Sequence, residues 1–331
     1  MMNDSKVMND STTITYSKNP LSIFKREGIG VLAVLVLLFI VLSISSPFFL
    51  TGGNISNLLL QSVFIMVVAF GTMFVLSMGG IDLSVGSVLG LCGGVTGWLM
   101  MNGTNMWAAI LAGLILGALI GTFNGLVISK LRISPFLVTF AMLYIARGLL
   151  FLFTADQPIR DFATSDFKFL AQGSVLGIPF AVIITLIIFL ICYFVFHSTI
   201  FGRKVITVGS NRQVAQLSGI HTDRVKIRVY ALSGLLAAGS GILLTSRLTS
   251  VQPLMGTTYE LDAIAAVVIG GTSMFGGKGS VVGTAVGAII LALVSNGLNL
   301  LGVNQFYRLI ITGLIIVVAV GAERFTSAKS D

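Results

Sequence analysis

The sequence predicts an all-α polytopic membrane protein with about ten transmembrane helices, and three observations predict it. Of 331 residues, 55% are hydrophobic and only 10% charged, with a mean hydropathy of +1.00. That composition is far from a soluble globular domain. Charge-free runs reach membrane length: Ile29 to Ser46 holds no charge for 18 residues and Val175 to Phe196 none for 22. About 20 apolar residues cross a ~30 Å hydrocarbon core. Finally, the cationic residues between the apolar runs fall almost entirely on every second loop.

Taken in order, residues 1–28 form a polar, basic N-terminal tail with Lys18, Lys25 and Arg26 just before the first apolar run. Such a start resembles a secretory signal, but the run is too long and no small-residue cleavage site follows, so it reads as an uncleaved helix. Spans are predicted over 29–48, 58–78, 84–101, 107–128, 135–154, 175–196, 229–247, 261–274, 281–301 and 306–322. The eighth is short and Gly-rich, which leaves nine or eleven spans open. One set of loops carries Lys6, Lys18, Lys25 and Arg26, then Lys130 and Arg132. It continues with six cations from Arg203 to Arg228, then Lys278, Arg324 and Lys329. The opposite loops carry only Arg160 and Lys168. The positive-inside rule makes the first set cytoplasmic, together with both termini. The domain reading is a tail over 1–28, a transmembrane unit over 29–324 with a cytoplasmic loop at 197–228, and a C-terminal tail over 325–331. The net charge of +8 lies beside spans, so it reads as topology signal and membrane-lipid contact, with no nucleic-acid partner.

Glycines recur every fourth residue at Gly86, Gly90 and Gly94, at Gly113, Gly117, Gly121 and Gly125, and at Gly279, Gly283 and Gly287. That spacing puts them on one helix face, where backbones approach closely. Two short motifs also occur twice. Ile81-Asp82-Leu83 is echoed by Leu261-Asp262-Ala263, and Asn124-Gly125-Leu126 by Asn296-Gly297-Leu298. Each pair is five spans apart, an odd number, so the copies run in opposite directions. The expectation is an inverted repeat of spans 2–5 and 7–10, a transporter arrangement with its path at the repeat interface.

Polar residues inside or beside spans are the candidates for path or gating: Asp82, Ser84, Asn124, Arg147, Glu260, Asp262 and Asn296. Two readings of Asp82 and Asp262 stand: helix capping at exposed span ends, or lining of the path. Arg147 lies inside the fifth span, where an arginine costs roughly 2.5–3.5 kcal/mol to insert, so it must snorkel or find Asp156 or Asp262. Arg308 has a milder version of the same problem. Asn124, Asn296 and Gln61 are amides that either bond between helices or face a polar lumen. No metal-ligand or CxxC spacing involves Cys92 or Cys192, and His197 and His221 read as solvated loop residues. Asn102-Gly103-Thr104 is a glycosylation sequon, without meaning in a bacterial host.

The 197–228 loop contains Gly209-Ser210-Asn211-Arg212-Gln213-Val214-Ala215-Gln216-Leu217-Ser218-Gly219-Ile220. Ser210 or Asn211 can cap a helix start and Gly219 can end it, with Val214 and Leu217 presenting an apolar stripe. A two-turn helix of that kind suits a groove on another protein, or else lies on anionic lipid.

From about residue 30 the chain resembles the permease subunits of ribose-type sugar ABC importers. The resemblance is strongest in Gly79-Gly80-Ile81-Asp82-Leu83-Ser84-Val85-Gly86-Ser87, in Leu217-Ser218-Gly219-Ile220 and from Tyr259 to Ser273. Gly276-Gly277-Lys278-Gly279 and the run from Asn296 to Val303 continue it. It implies a second permease subunit, identical or not, and a cytoplasmic ABC ATPase docked on the 209–220 helix. A periplasmic or lipid-anchored sugar-binding protein completes the set, in a bacterial cytoplasmic (inner) membrane. The residues assigned to the ATPase contact are Gly209, Ser210, Asn211, Val214, Ala215, Leu217, Ser218 and Gly219. Gly276-Gly277-Lys278-Gly279 lacks P-loop spacing, so this chain is not expected to be an enzyme or to hold a cofactor; ATP and Mg belong to the partner. Alternative cargoes include autoinducer-2. A secondary active transporter is the rival, disfavoured because no Asp or Glu falls near the middle of a predicted span.

Overall fold

The computed structural model describes residues 28–304 and, beyond them, 306, 307, 309–311, 313, 314, 317 and 321. Arg308, Arg324 and the tails lie outside the described residues. The chain is an all-α polytopic membrane protein. Its helices are α1 (Gly28–Ser45), α2 (Gly52–Ser77), α3 (Val85–Met101), α4 (Met106–Lys130), α5 (Pro135–Thr154) and α6 (Ser165–Gln172). After a small hairpin, β1 (Ser174–Val175) and β2 (Ile178–Pro179), come α7 (Phe180–Ser198), α8 (Ile200–Ser210), α9 (Arg212–Leu217), α10 (Thr222–Leu248), α11 (Tyr259–Ile269) and α12 (Val281–Leu300).

Local chemistry sets the ends. Asn105 Oδ1 accepts from Trp107 N at 2.9 Å and starts α4, and Pro135 opens α5 with its fixed φ. Ser280 Oγ accepts from Gly283 N at 2.9 Å and starts α12. Among the described residues six helices, α2, α4, α5, α7, α10 and α12, are long and apolar enough to cross a membrane. α2 is enclosed: Val67, Phe70 and Phe74 are fully buried. α4 and α7 instead expose Leu111, Ile115, Leu119, Leu186, Leu190 and Phe194, a surface suited to lipid.

Four boundaries differ from the pattern in the sequence. α2 begins at Gly52 rather than at 58. α7 begins at Phe180 rather than at 175, because Leu176 and Gly177, both at positive φ, turn the hairpin. α10 begins at Thr222 rather than at 229, so Arg224, Lys226 and Arg228 ride on its first two turns. The predicted 261–274 span is only the 11-residue α11, about 16 Å long at 1.5 Å per residue, and 270–280 is loop.

α3 and α11 interrupt the bundle in matching ways. The chain leaves α2 at the basic face, where loops 131–134 and 199–221 also lie, and runs back inward without helix over 78–84 before α3 starts. It leaves α10 at the opposite, far face and runs inward over 249–258 before α11 starts. α4 packs on α10, and α12 on α2. α3 packs on α10 and α4, and α11 on α2 and α12. Exchanging α2 with α10, α3 with α11 and α4 with α12 turns each of these contacts into another of the same set.

The four-residue glycine faces make these crossings close. A Cβ at Gly121 would strike the Tyr230 carbonyl, and one at Gly117 the Gly234 carbonyl, on the α4–α10 contact. Gly287 and Gly283 meet Ala266 and Gly270 on the α11–α12 contact in the same manner. Without a hydrophobic drive between helices in lipid, this backbone proximity supplies dispersion that larger residues would remove.

Candidate functional site

Two regions gather the predicted residues: a short helix on the basic face, and the interior where α3 and α11 begin.

On the basic face, the expected 209–220 helix is split. Gly209 and Ser210 belong to the end of α8, and Ser210 Oγ bonds back to Ile206 O at 3.0 Å rather than capping α9. Asn211 is the cap, its Oδ1 accepting from Gln213 N at 2.9 Å and Val214 N at 3.0 Å. α9 ends as the sequence suggests: Gly219 at φ +77°, with Ile220 N bonded to Ala215 O and Gly219 N to Gln216 O, both at 3.0 Å. These two bonds form the 6→1 and 5→2 pair of a Schellman stop. Ala215 is buried and anchors α9, while Val214 is half-exposed and Leu217 is 89% exposed. Ser218 sits at the C-cap. Arg212 pairs with Asp223 at 3.5 Å and Gln216 Nε2 donates to Thr222 Oγ1 at 3.2 Å, tying α9 to α10. α8 is seated firmly behind it. Val205 and Val208 are buried, and a Cβ at Gly209 would lie 2.6 Å from Gly277 N and 3.1 Å from Met78 Cα. Gly277 N in turn donates to Ser77 O at 2.9 Å. α8, the end of α2 and the 270–280 loop therefore form one contact. His197 stacks on Tyr193, and His221 sits at the start of α10 with no capping bond.

In the interior, Asp82 and Asp262 are 1% and 4% exposed. The expectation that exposure at span ends makes their charge cheap is corrected: the 78–84 and 249–258 segments run inward and carry both acids inside the bundle. Asp82 Oδ1 accepts from Ser84 Oγ at 2.6 Å and Ser84 N at 3.0 Å, and its Oδ2 from Ser233 Oγ at 2.9 Å. Asp82 thus closes an Asx-type turn ahead of α3; the N-cap position itself is Ser84. Asn124 Nδ2 donates to Ser84 Oγ at 3.1 Å, and Tyr230 OH to Ile81 O at 3.0 Å. Tyr230 of α10 thereby satisfies a carbonyl in a stretch that has no helix to satisfy it, while Asn124 of α4 and Ser233 of α10 hold the side chains of Ser84 and Asp82.

Where α11 starts, the Glu260 carboxylate abuts Gly86 in the first turn of α3, where a Cβ would also strike Gly256 O. The positive N-terminal ends of α3 and α11 thus approach one another, and Asp82, Glu260 and Asp262 sit at those ends, where the helix dipoles favour anions. Arg147 donates to Met255 O at 2.6 Å and Pro253 O at 3.4 Å, and its charge lies close enough to Glu260 to interact with it. Of the expected solutions for Arg147, the structure takes another: carbonyls of the incoming 249–258 segment.

Asn296 lies elsewhere. It pairs reciprocally with Asn54, Nδ2 to Oδ1 at 2.7 Å and 3.1 Å in the return direction, and so fastens α12 to α2. Gln61 Oε1 is buried without a hydrogen-bond partner. It lines a cleft of about 280 Å³ at the far face, between α2, α10, α11 and α12. Cys92 and Cys192 are buried and free, and no group of metal-ligating side chains forms among the described residues. Ser233, Tyr230, Asn54 and Arg247 escaped sequence reasoning. Ser233 and Tyr230 carry no charge or motif, and only the tertiary path of 78–84 reveals them.

A model of the family described as branched-chain amino acid transport system / permease component matches residues 54–320. Ribose import permease protein RbsC of Bacillus subtilis (strain 168) is 44% identical over 303 residues, covering 91% of this chain and 94% of that protein. RbsC of Escherichia coli (strain K12) is 43% identical over 297 residues, covering 89% and 92%. D-allose transport system permease protein AlsC of the same strain is 36% identical over 298 residues, covering 90% of each. No solved structure matches the chain.

Proposed function

The chain belongs to the branched-chain amino acid transport system / permease component family, and from that premise we propose that it is the membrane-spanning subunit of an ATP-driven sugar importer. The family description covers more than one cargo. The near-full-length relatives carry ribose and allose in their names, which supports a neutral monosaccharide of that size.

The observation that carries the mechanism is α9. It is capped at both ends, anchored by Ala215, and offers Val214 and Leu217 to a partner. That partner is a cytoplasmic ABC ATPase, which holds the ATP and Mg; this chain performs no covalent chemistry and holds no cofactor. Force applied to α9 passes through Asn211 into α8, and from Gly209 to Ser77 and Gly277. Those residues border both the 78–84 segment and the 270–280 loop. A shift of the ATPases therefore reaches the start of α3 and the end of α11 together, and switches the path from outward to inward facing.

The exchange of contacts between α2–α4 and α10–α12 supports an inverted repeat of spans 2–5 and 7–10. The distribution of cations in the sequence supports ten spans with both termini in the cytoplasm. The other partners are a second permease subunit and a periplasmic or lipid-anchored sugar-binding protein, in the bacterial inner membrane.

The buried acids give the rival proton-coupled transporter its one specific observation. Energy coupling separates the two. Uptake of labelled D-ribose by cells that depend on this chain is expected to stop on ATP depletion and to persist when a protonophore collapses the proton gradient with ATP maintained. The reverse pattern would sink the ABC reading.

A further inference from the structure

We propose that the far-face cleft between α2, α10, α11 and α12 is a binding site for a neutral polyhydroxy ligand, the place where this chain receives its sugar; the inference rests on the sugar-importer reading. Two tiers of polar side chains build it. Asn57, Arg247 and Asn299 sit at the mouth, in the far-face turns of α2, α10 and α12. Gln61 and Ser295 lie four residues deeper on α2 and α12, beside Tyr259 at the start of α11. Polar side chains inside a membrane protein are costly and mark paths and sites. Asn54 and Asn296, amides on the same two helices, are spent on each other, whereas Gln61 Oε1 is buried and unbonded at the cleft.

The chemistry points to a neutral ligand. Among the described residues no carboxylate lines the cleft, and the one cation there, Arg247, already donates to Asn57 Oδ1 at 3.0 Å. Amides and hydroxyls that both donate and accept suit sugar hydroxyls, and Leu60, Phe64 and Ile65 supply an apolar wall for the ring carbons. At about 280 Å³ the space suits one small ligand rather than an oligomer.

The test uses membranes carrying the whole transporter, with Cys92 and Cys192 left in place because both are buried. Asn299→Cys is labelled with a membrane-impermeant thiol reagent. Excess D-ribose is expected to slow the labelling roughly threefold or more, as occupancy by mass action requires. Glycine should leave it unchanged, and so should D-ribose at a cysteine placed at Asn102. Gln61→Leu is expected to lower the maximal rate of D-ribose uptake about tenfold and to change its ratio to D-allose uptake, the loss of one hydrogen-bonding group. Labelling of Asn299→Cys indifferent to D-ribose, while the unaltered transporter imports D-ribose, overturns the site and leaves the importer standing. If Gln61→Leu fails to accumulate, the labelling result decides. If the unaltered transporter moves no sugar, the importer reading fails and this site with it.

Discussion

Replacing Leu217 with aspartate is expected to lower sugar uptake by roughly a hundredfold or more and to release the ATPase, while the permease stays folded in the membrane. Leu217 is the most exposed apolar side chain of α9, at 89% exposure. A central apolar residue of an interface is worth about 2–4 kcal/mol, and each 1.4 kcal/mol is tenfold in affinity. A carboxylate there adds a desolvation cost that a groove built for leucine cannot repay. The helix itself survives, because Asn211 and the Gly219 turn hold its two ends. Leu217→Met should retain uptake, since it keeps an apolar side chain of similar volume. The readouts are ATPase co-purification and the unfolding temperature of the purified permease. Loss of uptake with the ATPase still bound would show that Leu217 acts somewhere other than the docking surface.

Asp82→Leu is expected to act in the opposite sense, destroying the fold rather than the coupling. Three donors, Ser84 Oγ, Ser84 N and Ser233 Oγ, lose their acceptor in a site that is 1% exposed. Each buried group left unsatisfied costs about 1–3 kcal/mol. The sum is a large part of the 5–15 kcal/mol by which proteins are typically stable. The variant should fail to accumulate, or should unfold in detergent well below the unaltered protein. Asp82→Asn, whose amide oxygen still accepts, should fall between them. An Asp82→Leu permease with unchanged unfolding temperature would contradict the role given to this carboxylate.

The six long spans α2, α4, α5, α7, α10 and α12 were legible because membrane helices must satisfy their backbone internally and present apolar side chains, and both demands show in hydropathy. Gly219 and Asn211 were legible as helix punctuation for local reasons of the same kind. The interior was not. Asp82 sits at a span boundary in the sequence, and position along the chain reads as depth only where the chain is helical. Over 78–84 and 249–258 it runs inward without helix, so acids that looked superficial are buried. Their burial makes these acids compatible in depth with proton coupling, and family membership and the exposed α9 are what favour the importer. α6 and the 174–179 hairpin went unread, since their short elements carry no membrane-length period.

The most direct measurement is purification of this chain from its native membranes in mild detergent, with mass spectrometry of the proteins that accompany it. An ABC ATPase in near-equal amount is the predicted result, lost in the Leu217→Asp variant. A folded, abundant permease that brings down no ATPase would contradict the account and return the buried acids at the starts of α3 and α11 to the question of what drives transport.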